Sequence, residues 1–256
     1  ALMLAAMAVG RSRIAGLSEG GDVRSTAAAL QAMGVGITRE GGETLVDGVG
    51  TGGLLQPESA FDMGNSGTSA RLLMGLVASQ PVTAAFTGDA SLSRRPMERV
   101  IAPLRRLGAK VEASPGGRLP LTIRGVCPAL PLTHRLTIAS AQVKSALLLA
   151  GLNTPGVTTV VEPVATRDHT ERMLQLFGAD IQVAPSASAR EIAIRGEAKL
   201  RPQRVEVSGD PSSAAFLAVA ALIVPDSEIR IENVGVNPMR MGLYETLREM
   251  GADLSF

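Results

Sequence analysis

Two textures of hydrophobic residues alternate along this chain. The first is an unbroken apolar run: Leu2-Met3-Leu4-Ala5-Ala6-Met7-Ala8, Leu72-Leu73-Met74-Gly75-Leu76-Val77-Ala78, Ala146-Leu147-Leu148-Leu149-Ala150-Gly151 and Ala214-Ala215-Phe216-Leu217-Ala218-Val219-Ala220. A helix that is apolar all round must be covered on every side, so these runs predict buried helices over 2–9, 67–79, 142–151 and 212–223. The second texture is amphipathic, over 22–33, 95–107, 168–177 and 240–250. Each amphipathic segment contains Leu-x-x-x-Gly, from Leu30 to Gly34, Leu104 to Gly108, Leu174 to Gly178 and Leu247 to Gly251, at an interval of 70 to 74 residues. A glycine there reads as the left-handed residue that ends a helix. β-Branched segments fill the gaps. They lie at 13–17, 82–86, 157–161 and 228–232 after the apolar helices, and in pairs such as 109–113 with 119–124 and 179–184 with 191–195. Two more, 134–138 and 204–207, lead into the next apolar run.

The repetition of this order sets the fold class as α/β. Apolar helices pack inward and strands with one apolar face cover them, around a pseudo-symmetry axis. Three units make one lobe over 1–206, the first of them lacking its polar head. Residues 207–256 read as a partial fourth unit that opens a second such lobe. On this reading the chain is cut at both ends.

Chemistry gathers at the polar heads of the apolar helices, which are expected to converge at one end of the lobe. Asn65-Ser66-Gly67-Thr68-Ser69-Ala70-Arg71, Ser140-Ala141-Gln142-Val143-Lys144-Ser145 and Asp210-Pro211-Ser212-Ser213 each precede or open an apolar run. Capping residues, orphan N–H groups and the helix dipole together attract anions. Gly67 has no Cβ and lets a ligand approach the backbone. Arg71 adds a fixed charge one turn on, and Lys144 does the same in the second head. Arg94-Arg95-Pro96 sits at a predicted helix start, where cations oppose the dipole, so a bound anion would explain them. Thr166-Arg167-Asp168-His169-Thr170-Glu171 reads as ordinary acidic capping with Arg167 left over. Asp22, Asp62 and Asp89 read as cap and turn residues before they read as acids or bases.

Composition narrows the ligand. Basic residues number 25 against 24 acidic ones, and aromatics are 2%. Three of the basic residues are Lys (Lys110, Lys144 and Lys199) and the rest are scattered Arg. That is not a nucleic-acid surface, but it suits carboxylates and phosphates, which take planar bidentate donors. Cys127 is the sole cysteine and reads as a packed, inert thiol. His134 and His169 are the only histidines, and no cluster suggests a metal. Residues 1–9 are too short to span a bilayer and no basic segment precedes them. The chain therefore reads as soluble and cytoplasmic.

Taken together, Asn65–Arg71, Gly88-Asp89-Ala90-Ser91-Leu92-Ser93-Arg94-Arg95-Pro96-Met97, Ala139-Ser140-Ala141-Gln142-Val143-Lys144-Ser145-Ala146, Thr166-Arg167-Asp168-His169-Thr170 and Gly209-Asp210-Pro211-Ser212-Ser213 resemble the 5-enolpyruvylshikimate-3-phosphate synthase family. The resemblance runs the length of the chain and is nearest to the bacterial class that includes glyphosate-tolerant members. It implies two lobes, each an inside-out α/β barrel of three βαβαββ repeats, and no metal or organic cofactor. It implies transfer of the enolpyruvyl group of phosphoenolpyruvate to the 5-hydroxyl of shikimate 3-phosphate, a step of the shikimate pathway towards aromatic amino acids. By resemblance Ser140, Ala141, Gln142 and Arg167 bind shikimate 3-phosphate, with Ser140 and Arg167 towards its phosphate. Gly67, Arg95 and Gln142 bind phosphoenolpyruvate or glyphosate, and Asn65 and Arg71 support them. Tolerant members carry Ala where this chain has Gly67, which implies a glyphosate-sensitive site. The family's Lys-Ser-x-x-x-Arg head and its acid–base residues have no counterpart here, so no catalytic residue is assigned. The chain is expected to need a complementing piece for turnover.

Three other readings compete. UDP-N-acetylglucosamine enolpyruvyl transferases share the fold and chemistry but use a reactive loop cysteine, for which Cys127 is poorly placed. An isolated lobe, or half of a split enzyme, would be non-catalytic. RNA-phosphate cyclases share a related repeat but need a histidine and a basic surface that this sequence lacks.

Overall fold

The computed structural model describes residues 1–186 and 189–256. The first stretch runs α1 (Leu2–Met7), β1 (Val9–Ala15), α2 (Gly21–Ala32), β2 (Gly36–Glu40) and β3 (Glu43–Val49). The next runs β4 (Phe61–Asp62), α3 (Gly67–Ala78), β5 (Thr83–Thr87), α4 (Ala90–Ser93), α5 (Glu98–Arg106), β6 (Lys110–Ser114) and β7 (Arg118–Arg124). Then come β8 (Thr133–Arg135), α6 (Ala141–Gly151), β9 (Val157–Glu162), α7 (His169–Leu176), β10 (Ile181–Ser186) and β11 (Ala189–Arg195). β12 (Arg204–Glu206), α8 (Pro211–Ile223), a 3-10 turn (Pro238–Arg240) and α9 (Gly242–Glu249) finish the chain. These elements form two compact units, Ala1–Val205 and Glu206–Phe256.

The first unit repeats one arrangement three times. Its sheets have the orders β4-β5-β7-β6, β8-β9-β11-β10 and β12-β1-β3-β2. In the first two, the short entering strand is parallel to its neighbour and the other pairs are antiparallel. The third sheet closes the set. Val9 N donates to Leu200 O at 3.2 Å and Arg13 N to Gln203 O at 2.9 Å, so the segment leaving the third repeat lies beside the first.

The helices inside these sheets are the apolar ones. Every residue of α1 is buried, as are nine residues of α3 and nine of α6. α3 and α6 cross at Gly75, where an added Cβ would stand 2.1 Å from Ala146 O. Glycine inside a helix costs about 1 kcal/mol against alanine, and here it permits the two backbones to touch. The amphipathic helices end as their sequence predicts. Gly34, Gly108, Gly178 and Gly251 have φ of 88°, 107°, 84° and 96°. The following N–H groups, of Val35, Ala109, Ala179 and Ala252, bond the carbonyls of Leu30, Leu104, Leu174 and Leu247 at 2.9–3.3 Å. This is the Schellman closure, and the repeated leucine supplies its acceptor.

Several expectations need correction. The first helix stops at Met7, and Val9 already belongs to β1. The helix predicted over 95–107 starts later, as α5 at Glu98, and the loop expected before it holds a separate short helix, α4 over Ala90–Ser93. Pro96 stands between the two, where it cannot donate to a continuous hydrogen-bond ladder. No strand forms over 228–232. Among the described residues of the second unit the only β-bridge joins Gly209 and Val234, and a strand without a ladder partner has nothing to fix it. No helix among the described residues is long and apolar enough to cross a membrane.

Candidate functional site

Ser66 caps α3, accepting from Ser69 N at 3.3 Å. Its hydroxyl is also 2.7 Å from Ser69 Oγ, to which Thr26 of α2 donates at 2.7 Å. The head of α3 is thus tied to its neighbour before any ligand arrives. Asn65, one residue earlier, uses both ends of its amide. Nδ2 donates to Asp89 Oδ2 at 2.7 Å, and Oδ1 accepts from Arg95 Nη2 at 2.7 Å. Asp89 in turn caps α4, accepting from Leu92 N at 2.7 Å. The Asn65 hydrogen bond, then the Leu92 amide, hold the Asp89 carboxyl below its usual range.

Arg71 joins this head to the next. Nη1 donates to Gly67 O at 3.2 Å and to Gln142 Oε1 at 3.0 Å, and Nη2 to Pro96 O at 3.3 Å. Gln142 Nε2 completes the link by donating to Thr68 Oγ1 at 2.8 Å. Burial first, then repulsion from Arg95 and Arg99, lowers the Arg71 guanidinium below its ordinary pKa. Gly67 lies between the two arginines. A Cβ there would be 2.9 Å from Arg71 Nη1 and 3.3 Å from Arg95 Nη1. Two guanidiniums held close around a bare backbone position suit a dianion, since no carboxylate among the described residues is bonded to either. Beside Thr68 a cavity of about 270 Å³ opens, lined in part by Leu2, Ser69, Leu72, His169 and Thr170.

At the second head Ser140 caps α6, accepting from Val143 N at 3.4 Å. Ala141 and Gln142 open the helix, so Ser140, Ala141, Gln142, Asn65, Gly67, Arg71 and Arg95 form one neighbourhood. Arg167 is not bonded to it. It lies exposed in the β9–α7 connection, and its guanidinium makes no hydrogen bond or ion pair among the described residues.

The geometry overturns four details. Arg94 and Arg95 do not start a helix: Arg94 is the C-cap of α4, where a cation favours the dipole, and Arg95 is held by Asn65. Lys144 is not an anion donor, because it is fully buried against Glu162 and Glu171. Asp168 makes no capping hydrogen bond to α7, and its carboxylate pairs with Arg172 at 2.9 Å. Cys127 is exposed, not packed.

The family profile described as EPSP synthase (3-phosphoshikimate 1-carboxyvinyltransferase) matches residues 1–255. This chain belongs to the EPSP synthase family. It is 65% identical over 259 residues to the 3-phosphoshikimate 1-carboxyvinyltransferase of Sphingopyxis alaskensis, covering 99% of this chain and 58% of that protein. It is 63% identical to the protein of the same description from Novosphingobium aromaticivorans, again covering 99% and 58%. Among solved structures it matches an EPSP synthase from Acinetobacter baumannii with a TM-score of 0.89 at 45% identity, over 99% of this chain and 57% of that one. The chain thus spans a little under three fifths of the length of these relatives.

Three further positions acquire meaning in this fold. Val126 N bonds Ala78 O at the C-terminal end of α3, so Cys127 lies beside the end opposite Gly67, roughly 17 Å along the helix at about 1.5 Å per residue. It has no part in the arginine site. The role of Asp89 in fixing Asn65 was hidden, because Asn65 and Asp89 are 24 residues apart and only the fold brings them together. Lys144 did carry a signal: it is the one charged residue in an apolar helix, and a buried charge requires a partner.

Proposed function

We propose that this chain forms a substrate-binding lobe of an enolpyruvyl transferase acting on shikimate 3-phosphate and phosphoenolpyruvate. In that reaction the 5-hydroxyl oxygen bonds to C2 of phosphoenolpyruvate, the C2–O bond to phosphate breaks, and the phosphate is released with, in net balance, the proton that the hydroxyl gives up. The observation that carries the reading is the pair Arg71 and Arg95 around Gly67, joined through Gln142 to the α6 head. Arg95 and the open backbone at Gly67 take phosphoenolpyruvate, with Gln142 between the two substrates. Ser140 and Arg167 take the phosphate of shikimate 3-phosphate, and Ala141 lies against it. Asn65 and Arg71 hold the arginine geometry. These residues bind and orient, and proton transfer is not assigned to them. Asp62 and Asp89 already serve local turns, accepting from Gly64 N at 2.9 Å and Leu92 N at 2.7 Å.

The relatives are longer than this chain. The whole reaction is therefore proposed for a site completed by the matching remainder, on the same polypeptide or on a complementing chain. A cytoplasmic location goes with this reading, since an exposed, unpaired Cys127 suits a reducing compartment.

Calorimetric titration of the chain tests the proposal. Shikimate 3-phosphate is expected to bind saturably and more weakly as salt rises, and UDP-N-acetylglucosamine not at all. Binding of the nucleotide sugar without shikimate 3-phosphate would reject the substrate assignment.

A further inference from the structure

Lys144 is the only charged residue on α6, and its side chain is 0% exposed. Its ammonium lies 3.0 Å from Glu162 Oε1 and 2.7 Å from Glu171 Oε1, and both carboxylates are buried. The Glu171 pairing is an ion pair by distance only, since neither of its oxygens has an aligned donor. The same ammonium donates to the main-chain carbonyl of Arg167 at 3.1 Å and reaches that of Thr166 at 3.5 Å. Thr166 also bonds Glu162 through its hydroxyl. The backbone N–H of Lys144 closes the first turn of α6 on Ser140 O at 3.2 Å. One residue therefore ties down both elements assigned to the phosphate: the Ser140 head through its backbone, and the Arg167 connection through its side chain.

Stability alone does not explain the charge. A buried ammonium and its carboxylates lose hydration that a leucine would never need, and apolar replacements of such clusters are often neutral or favourable. What a leucine lacks is a donor for the two carbonyls. The guanidinium of Arg167 has no side-chain partner among the described residues, so its direction comes from its backbone. We infer that Lys144, braced by Glu162 and Glu171, is the positioning residue for Arg167 and sets how its guanidinium meets the substrate phosphate. The inference rests on the reading that Arg167 binds shikimate 3-phosphate.

Lys144→Met alone would leave two buried carboxylates unpaired and threaten the fold. The informative variant is therefore Lys144→Met combined with Glu162→Gln and Glu171→Gln, which leaves no buried charge. Backbone NMR order parameters at Arg167 and Asp168 are expected to fall to the range of a flexible segment, below about 0.6, while those of α6 stay at about 0.85. Affinity for shikimate 3-phosphate is expected to fall about tenfold. Adding Arg167→Ala to the triple variant should cost little beyond Arg167→Ala alone, because both act through one group. Unchanged order parameters at Arg167 and Asp168 overturn the inference, and so does an affinity loss that adds in full to that of Arg167→Ala. If the unmodified chain does not bind shikimate 3-phosphate, the substrate reading fails, and the order parameters still decide whether Lys144 holds the connection.

Discussion

A methyl group at position 67 would meet charge before it met carbon, since Leu92 Cδ1 comes third at 3.4 Å. In Gly67→Ala the new Cβ would sit 2.9 Å from Arg71 Nη1 and 3.3 Å from Arg95 Nη1. Arg71 is bound to Gly67 O, Gln142 and Pro96, so it cannot swing away without breaking one of these bonds. On the proposed function, the substitution is expected to weaken glyphosate more than phosphoenolpyruvate, because the inhibitor is the longer of the two and tolerates less loss of space. Competition titrations on the two forms check this, and an equal loss for both ligands would refute it. His134 offers a second test at this scale. Burial, and then the Arg106 guanidinium, lower its pKa below the usual 6.5. Its Nδ1, 3.4 Å from Arg106 Nη1, can accept only while the ring is neutral. The folded state then binds fewer protons than the unfolded one between the folded pKa and 6.5. The contribution is whole above the unfolded value and is lost as pH falls through the folded pKa. The ring is partly exposed and screened by solvent, so the effect is well under about 1 kcal/mol. Its titration by NMR should give a midpoint below 6.5 that rises in Arg106→Gln, and a midpoint at or above 6.5 would contradict the reading. The site's arginines and its glycine were legible in the sequence because they sit in short polar heads. Their partners were not, because Asn65 meets Asp89 and Arg71 meets Gln142 only through folding.

The helix ends test the repeat itself. Gly178 has φ of 84° and open space where a Cβ would go, whereas the same addition at Gly125 would stand 2.1 Å from Val77 O and 2.3 Å from Gln80 O. Gly178→Ala should therefore cost only the left-handed backbone penalty, about 1–2 kcal/mol. Gly125→Ala must displace backbone and should cost more, beyond about 3 kcal/mol. Equal shifts in the denaturant midpoint for both would sink this account. Gly48 and Gly196 repeat the Gly125 arrangement. An added Cβ would meet Ala5 O and Ala8 O at 2.2 and 2.3 Å in one case, and Thr154 O at 1.6 Å in the other. The sequence showed the first glycine series because an amphipathic helix precedes each member. It hid the second, because those glycines stand in or just after strands of differing sequence and matter only once an apolar helix has docked beneath them. Element order in the first unit and most helix limits were likewise legible from periodicity. α4 was missed because the residues before Pro96 were read as a loop and Pro96 as a helix start, whereas it separates two helices.

On the scale of the whole molecule, composition and environment disagree in one place. α8 has the same apolar texture as α3 and α6, yet Phe216 is 80% exposed, and Leu217, Leu222 and Ile223 are exposed as well. Its unit has a small core of Ala215, Ala218, Met241 and Tyr244 with Leu254 against them, and Tyr244 is pinned by a 2.6 Å bond from its hydroxyl to Pro211 O. Burial drives stability at about 25 cal/mol per Å² of apolar surface, so a helix that leaves its largest residues in water gains little from being ordered. Three sheets cover α1, α3 and α6 in the first unit, and the second unit has a single β-bridge among its described residues. The two units should therefore open separately. Native-state amide exchange is expected to show α3 and α6 protected to the free energy of global unfolding, with α8 and α9 exchanging through a smaller opening. A chain ending at residue 207 should keep the thermal midpoint of the first unit and bind less of an apolar dye than residues 1–256. If α8 amides instead exchange with the same free energy and denaturant dependence as those of α6, the chain unfolds as one cooperative body and the exposed face is not a weakness.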